Sequence, residues 1–335
     1  MTNRLELNWK LDGFVDEQRY YCSGTPIDPE NLPTPTAILT GDVRSYLDST
    51  ARELGRNYHI YVSAVKNNVE KISLDTQAVF GKVWAPSNLA NAAKIWSDTD
   101  SLSTGALSVL ENKGVIETPF TQSASSRQPQ VVADVLNGHG VISFDGVDDY
   151  IAMQSESAGD LFRNTGVGWL FTVFKRRSGA LLFDVREPSG GSRFLSQTTS
   201  SALSFSSRRL DNSSTASSTA AADVSNFGIR FDRLTYSSAN LLMRFNGEQV
   251  FNASHGTAGL TSNTRSQSNY VSIGERAGNL TGTPWGGDIA CIIAGSGSAP
   301  TSEEILKLEG WAAHKYGLTG NLPADHPYKI LVPTI

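Results

Sequence analysis

The 335-residue chain has few cysteines and no long basic run, and each shortage excludes a class of protein. The two cysteines, Cys22 and Cys291, lie far apart in sequence within apolar or aromatic runs, so we interpret them as buried free thiols. The formal net charge is -5, whereas phosphate binding needs clustered Lys and Arg. We interpret the short basic groups at 175–177 and 208–209 as strand-end charges, and we expect no nucleic-acid partner.

The sequence also lacks a long apolar segment. No window approaches the roughly 20 apolar residues that a membrane helix needs. Residues 1–13 contain no apolar stretch of signal-peptide length. We therefore expect no membrane partner and synthesis in a cytosol, where a disulfide would be unexpected.

Catalytic motifs are absent as well. The five histidines are scattered, without H-E-x-x-H or C-x-x-C spacing, so we expect no zinc site. A glycosidase whose site lies on a β-sheet needs two carboxylates that alternate along one strand face. Asp184 and Glu187 do not alternate correctly, and Glu275 and Asp288 stand alone in the sequence. We predict that the protein is not an enzyme, with glycosidase activity as the alternative.

Short strands are what the sequence does contain, and the first of them predict a small β domain over residues 1–82. The stretch LELNWKL, which begins at Leu5, has an apolar residue at every second position, as a half-buried strand does. Residues 57–66 alternate in the same way. The proline-rich segment 25–38 cannot be a central strand, because proline has no N–H to donate.

From residue 83 to residue 335, short apolar runs alternate with Gly, Ser and Asn turns, which is typical of an antiparallel sandwich or barrel. Asn246-Gly247 predicts a two-residue type I′ hairpin, whose central positions both need a positive φ. We interpret residues 206–225, rich in Ser and Ala, as an exposed loop.

One amphipathic helix is predicted after the strands. Thr301 and Glu304 have the spacing of a capping box, in which each side chain satisfies a free backbone N–H. Gly317 follows as a terminator. Trp311 lies on the apolar face, so we expect the helix to pack on a sheet.

Several stretches resemble known families. Residues 55–73 resemble the late strands of a fibronectin type III domain. ISFDGVDDYIAM, residues 142–153, resembles a strand of laminin-G-like, concanavalin-type jelly rolls. The other stretches that resemble that group are WAPSNLANAAKIWSDTDSLS (84–103), LLMRFNGEQVF (241–251) and the closing helix and tail with GNLPADHPY (320–328). The W-N-D-x-S-G-N segment usual in that family is replaced by LENKGVIETPF at residues 110–120.

The resemblance implies an all-β chain. A fibronectin type III-like sandwich (1–82) is followed by a concanavalin/laminin-G-like jelly roll (83–335) with one C-terminal helix. It further implies a bacteriophage virion structural protein, a tail or head fibre or decoration subunit made in the bacterial cytoplasm. The N-terminal domain would attach to other virion proteins, and self-association as a trimer is expected by analogy. The alternative is a glycan-binding adhesin that recognises a host polysaccharide.

The acidic turn Asp145, Asp148 and Asp149 has two interpretations. In the first it is structural: Asp145-Gly146 forms the corner, and Asp148 and Asp149 stiffen it through hydrogen bonds to the backbone. The side chains expected to anchor it are Phe144, Val147 and Tyr150. In the second, suggested by calcium binding in some laminin-G-like relatives, it holds Ca²⁺, which wants six to eight oxygens. The first is preferred, so we expect no cofactor.

Sugar binding would use an aromatic platform flanked by polar side chains. Tyr270, Trp285 and Asn279 fit this description, because the glycines around them would let a ligand approach. For Trp285, ordinary packing at the sandwich edge is preferred over this binding role.

Overall fold

The computed structural model describes residues 5–50, 52, 56–186, 192–264, 270–275 and 284–335. The chain divides into two units, one of Met1–Trp84 with Thr334–Ile335 and one of Ala85–Pro333. Antiparallel strands make up most of both units, which confirms the predicted all-β class. Among the described residues, no helix is long and apolar enough to cross a membrane.

The described residues of the first unit form seven strands, which are β1 (Leu5–Asn8), β2 (Glu17–Ser23), β3 (Ala37–Thr40), β4 (Ser45–Asp48), β5 (Arg56–Lys66), β6 (Val69–Ile72) and β7 (Thr76–Phe80). β1 pairs with β4, while β3, β2, β5 and β6 form one sheet in that order, with β7 also paired to β5. The sheet buries Tyr20, Tyr21 and Tyr61. The proline-rich segment contributes only β3 at its end, and the fibronectin type III resemblance stays a prediction.

Within the part of the second unit that the structure describes, there are two larger sheets and one long helix. Its strands are β8 (Ile95–Asp98), β9 (Gly105–Ala106), β10 (Val109–Leu110), β11 (Phe120–Thr121), β12 (Gln130–Leu136), β13 (His139–Asp145), β14 (Ile151–Gln154), β15 (Gly168–Ser178), β16 (Leu181–Arg186), β17 (Ser192–Thr198), β18 (Ala202–Ser207), β19 (Ala216–Ala221), β20 (Gly228–Thr235), β21 (Asn240–Phe245), β22 (Glu248–Ser254), β23 (Tyr270–Ile273) and β24 (Gly286–Ser296). The helices are α1 (Glu156–Gly159), a single turn, and α2 (Ser302–Lys315).

The two sheets of the second unit enclose one hydrophobic core. Sheet I has the order β10-β11-β14-β23-β16-β17-β18-β19, and sheet II the order β22-β21-β20-β15-β24-β13-β12-β9, with β8 on β24. Inward side chains of both sheets, such as Phe183 and Phe194 of sheet I and Leu170 and Ile289 of sheet II, belong to one buried cluster. The second unit is therefore a β-sandwich.

The predicted hairpin and helix cap are confirmed. Asn246 and Gly247 have φ angles of 51° and 84° between β21 and β22. The Thr301 side chain accepts from the Glu304 N–H, and the Glu304 carboxylate accepts from the Thr301 N–H. The helix is tied to sheet II through buried Glu309, which accepts two hydrogen bonds from the guanidinium of Arg244.

Two details of the sequence interpretation are corrected. Part of the segment expected to be a loop, 206–225, is strand, because β19 pairs with β18 along its whole length. Cys22 is half-buried rather than buried, while Cys291 is buried as expected, and both are free thiols.

A buried ion pair joins the two sheets. Arg230 and Asp232 of β20 are fully buried, and their side chains lie 2.8 Å apart. The guanidinium of Arg230 also donates to the carbonyl oxygens of Gln197 and Ser204 in sheet I, at 2.7 and 3.0 Å. Ser196 of sheet I donates to the Asp232 carboxylate at 3.0 Å. A side chain of sheet II thus donates hydrogen bonds to backbone carbonyl groups of sheet I across the core.

We expect Arg230→Met to lower the free energy of unfolding by about 3–5 kcal/mol, because it leaves the Asp232 carboxylate buried without its cation. The double variant Arg230→Met/Asp232→Leu should regain most of that loss, since two apolar side chains leave no unpaired charge. Urea unfolding measures both. A double variant no more stable than the single one would contradict this account.

Candidate functional site

The acidic turn connects the two sheets of the second unit. β13 before it belongs to sheet II and β14 after it to sheet I, so residues 146–150 cross from one sheet to the other. Gly146 has a φ of 82°, and a Cβ there would lie 3.1 Å from the Cα of Gly286. The crossing therefore requires glycine at position 146.

Two of the three aspartates stiffen the turn. One Asp145 carboxylate oxygen accepts from the backbone N–H groups of Val147 and Asp148, at 2.8 and 3.3 Å. Asp149 accepts from the N–H of Asp145 at 2.9 Å. Asp148, expected to do the same, instead has its carboxylate 3.6 Å from the Nε of Arg127. Val147 is 71% exposed and does not anchor the turn, whereas Phe144 is fully buried.

The aspartates also lie close to one another. One carboxylate oxygen from each of Asp145, Asp148 and Asp149 lies within 4.8 Å of the other two. Burial, together with the charges of Asp145 and Asp148, raises the pKa of Asp149. Burial and the charge of Asp148 likewise raise the pKa of Glu275. The sequence interpretation treated Glu275 as isolated, but the pairing of β14 with β23 brings it beside the turn.

The structure places Trp285, a candidate sugar platform for which packing was the preferred interpretation, in the core. Its ring is fully buried and lies edge-on to Phe144 and Phe174, with centroids 5.7 and 6.3 Å apart. Its Nε1 donates to the Thr198 hydroxyl at 3.2 Å. A buried ring has no free face for a sugar, so Trp285 packs, as preferred, and the candidate binding role is wrong for this residue. Tyr270 is half-buried at the start of β23, and Asn279 lies outside the described residues.

We expect Trp285→Ala to lower the free energy of unfolding by about 3–5 kcal/mol, since it removes a large buried side chain and its hydrogen bond. Val147→Ala is the exposed control and should change stability by less than about 0.5 kcal/mol. Denaturant unfolding compares them. A Trp285→Ala protein as stable as the wild type would contradict the burial of the ring.

A polar cavity of about 250 Å³ lies at the sandwich edge. It forms where the β18–β19 hairpin of sheet I meets the end of β22 of sheet II, and the sequence interpretation did not identify it. The lining residues are Ser207, Arg209, Ser213, Ser214, Thr215, Ala216, Tyr236, His255, Gly256 and Thr257. Most of these residues carry hydroxyl groups. The sequence interpretation assigned the Ser-rich segment 206–225 to an exposed loop and therefore did not consider a binding site there.

His255 joins the strands around the cavity. Its Nε2 lies 3.0 Å from the hydroxyl of Ser207 in β18, and its Nδ1 lies 2.9 Å from the hydroxyl of Ser218 in β19. The ring contacts Phe205 edge-on, at a centroid distance of 5.3 Å. Burial lowers the pKa of His255 to about 4. At neutral pH the imidazole is therefore uncharged and links sheet I to the chain leaving β22.

Arg209 provides the charge of the cavity. Its Nε donates to the Thr257 hydroxyl at 3.1 Å, and its Nη1 donates to the Leu260 carbonyl at 2.8 Å. Behind it, the buried guanidinium of Arg193 donates to the Arg209 carbonyl and to Asp211. Arg209 is thereby held by the loop after β22 and by β17, and none of the described residues that line the cavity carries a carboxylate.

The neutral state of His255 predicts a pH dependence. An unfolded histidine has a pKa of about 6.5, so the unfolded state takes up a proton that the folded state does not bind until about pH 4. The free energy of unfolding should therefore fall as the pH drops from about 6.5 to about 4, at up to about 1.4 kcal/mol per pH unit. Urea unfolding across this range measures the slope.

In His255→Gln this slope should become shallower, because the titrating ring is gone. Ser214→Ala, at an exposed lining residue that carries no titratable group, is the control and should keep the wild-type slope. An unchanged slope in His255→Gln would contradict the assignment.

No protein-family model matches the chain. No curated protein matches it. Solved structures that resemble it include the CBM40 of the Ruminococcus gnavus IT-sialidase bound to alpha2,3-sialyllactose (14% identity, TM-score 0.39, 49% of this chain and 92% of that chain). Others are botulinum neurotoxin type C, whose cell entry depends on two ganglioside molecules (11%, 0.43, 66% and 51%), and the Trypanosoma rangeli sialidase (8%, 0.46, 77% and 43%). At TM-scores below 0.5, these likenesses assign no residue, ligand or activity to this chain.

Proposed function

We propose that the second unit is a glycan-binding module and that the polar cavity is its binding site. The observation that carries the proposal is the lining: hydroxyl groups on two strand ends and two loops surround one guanidinium. A hydroxyl group can both donate and accept a hydrogen bond, so the lining matches the donors and acceptors of sugar hydroxyls. The cavity is also concave, as ligand sites are.

The ligand is a glycan with an anionic group, such as a carboxylate or a sulfate. Arg209 is the only charged residue of the lining at neutral pH among the described residues, because His255 is neutral. A guanidinium presents parallel N–H groups that suit an acidic oxygen pair. A neutral sugar would leave this charge without a counter-ion.

The cavity is pre-organised for binding. His255 fixes β18 and β19, and Arg193 holds the backbone of Arg209 from behind. Side chains that are already ordered lose little entropy when a ligand arrives. The architecture therefore favours a site whose shape is the same with and without ligand.

The proposal is for binding without turnover. Glycoside hydrolysis uses two carboxylates that flank the bond, and no Asp or Glu lines the cavity among the described residues. The expected virion role, the attachment through the first unit and the trimer stay predictions. A glycan-binding module is compatible with an adhesin that belongs to a virion and with one that does not.

A glycan array probed with the full chain tests the proposal. We expect binding to glycans that carry a carboxylate or sulfate and at least tenfold weaker binding in Arg209→Ala, because the charge-assisted hydrogen bonds are lost. Arg163→Ala is the matched control, since Arg163 is a half-exposed arginine outside the lining.

Wild-type binding to acidic glycans that survives Arg209→Ala would overturn the proposed site. Binding to neutral glycans alone would overturn the ligand class. If incubation with the protein shortens a glycan that it binds, the protein cleaves that glycan, and the proposal of binding without turnover is overturned.

A further inference from the structure

We propose that two copies of this chain dock against each other through a groove in the first unit. The groove lies between the segment 11–15 and the β5–β6 hairpin, residues 64–71, and has a volume of about 520 Å³. We call it the Phe14 groove. None of its lining residues belongs to the polar cavity, so the proposal does not depend on glycan binding.

The first observation is an exposed aromatic ring at the groove. Phe14 is 92% exposed, and Val69, on the hairpin side, is 61% exposed. Single exposed apolar residues are common, but here a ring and an aliphatic side chain lie at one concave surface. Aromatic residues are enriched at protein interfaces and supply much of their binding energy. The Phe14 groove therefore suits a protein partner that covers both side chains.

The segment that carries Phe14 is fixed to the hairpin. Gly13 has a φ of 92°, a backbone conformation that glycine adopts without strain. The N–H of Asp16 donates to the Val65 carbonyl at 2.8 Å, and the Asp16 carboxylate accepts from the Asn67 N–H at 2.7 Å. The two sides of the groove are thus joined before a partner arrives, and little order remains to be gained on docking.

The strand register adds two lysines to the hairpin side. β5 and β6 pair Lys66 with Val69. They also pair Ala64 with Lys71. Cross-strand partners, and residues two apart along a strand, share one face of a sheet, so these four side chains lie on the face that borders the groove. One side of the groove is therefore apolar and basic.

The opposite side carries the complementary charge. Asp12 lies on the segment with Phe14, and it is exposed, as Lys66 and Lys71 are. None of these three charged side chains forms an ion pair or a hydrogen bond with another described residue, so all three are available to a partner.

This distribution of charge fits a second copy of the chain. In a two-fold interface every contact occurs twice, in reverse order. Asp12 of one copy then faces the lysines of the other copy, and the lysines of the first copy face the partner's Asp12. A partner of a single charge sign would leave one side of the groove unmatched. Two-fold docking closes at two chains, which differs from the trimer expected by analogy.

Size-exclusion chromatography with light scattering, followed by sedimentation equilibrium, tests the proposal on the full chain. We expect a two-chain mass that dissociates on dilution. Phe14→Ser should raise the dissociation constant of the dimer at least tenfold, because the aromatic anchor is lost. It should leave the unfolding temperature unchanged, since the ring is exposed within one copy.

Leu74→Ser is the matched control. Leu74 is 89% exposed in the same unit and does not line the groove, so this variant should form dimers as the wild type does.

Charge exchange separates docking from misfolding. Asp12→Lys leaves only basic charges at the groove, and Lys66→Asp/Lys71→Asp leaves only acidic ones. Each variant alone should be monomeric, because like charges meet across the two-fold axis. An equimolar mixture of the two should form a two-chain species, which mixing of misfolded chains would not restore.

A wild type that stays monomeric at its highest soluble concentration would overturn the proposal. A three-chain mass would overturn the two-fold interface. A dimer that survives Phe14→Ser, a dimer that dissociates in Leu74→Ser, or a monomeric mixture of the two charge variants would overturn the assignment to this groove.

Discussion

A guanidinium buried between two sheets is the constraint on which the second unit depends. Arg230 has no access to water, so each of its N–H groups must find an acceptor inside the protein. Asp232 on its own strand and the carbonyls of Gln197 and Ser204 on the opposite sheet supply them. These partners come from β17 and β18, whose outer neighbour β19 forms the sandwich edge. The polar interaction therefore specifies which strands face each other, where an apolar core alone would tolerate a slip.

The polar cavity continues the same principle at the edge of the sandwich. The hydrophobic core ends there. His255, which follows β22, joins the two sheets through hydrogen bonds with two serine hydroxyls of sheet I. The groups that hold the edge together also make it a concave, hydroxyl-lined surface with Arg209 at one side. The acidic turn of Asp145, Asp148 and Asp149 is a separate consequence of the sandwich, since it forms where the chain must cross from one sheet to the other. Clustered polar and charged side chains thus concentrate where regular strands end.

Local patterns predicted much of this fold and little of its sites. The Asn246-Gly247 hairpin and the Thr301 cap follow from backbone chemistry within a few residues, so the sequence was sufficient to predict them. The strand at Ala216–Ala221 was expected to be loop, because small polar residues show no amphipathic pattern and pair only when β18 offers an edge. Trp285 was a candidate for sugar binding because glycines surround it, although packing was preferred. Those glycines instead serve close packing: a Cβ at Gly287 would lie 2.7 Å from the Trp285 ring.

Composition and periodicity by themselves determined an all-β chain with a terminal capped helix, because strand alternation, turn residues and caps are encoded by neighbours in sequence. Only the tertiary structure decided which side chains meet. Glu275 joins Asp148 across more than a hundred residues through the pairing of β14 with β23, and Arg209 meets Thr257 through the contact of two sheet edges. The physical reason is that hydrogen-bond register and sheet packing are set by burial of the whole core, and no local stretch carries that information.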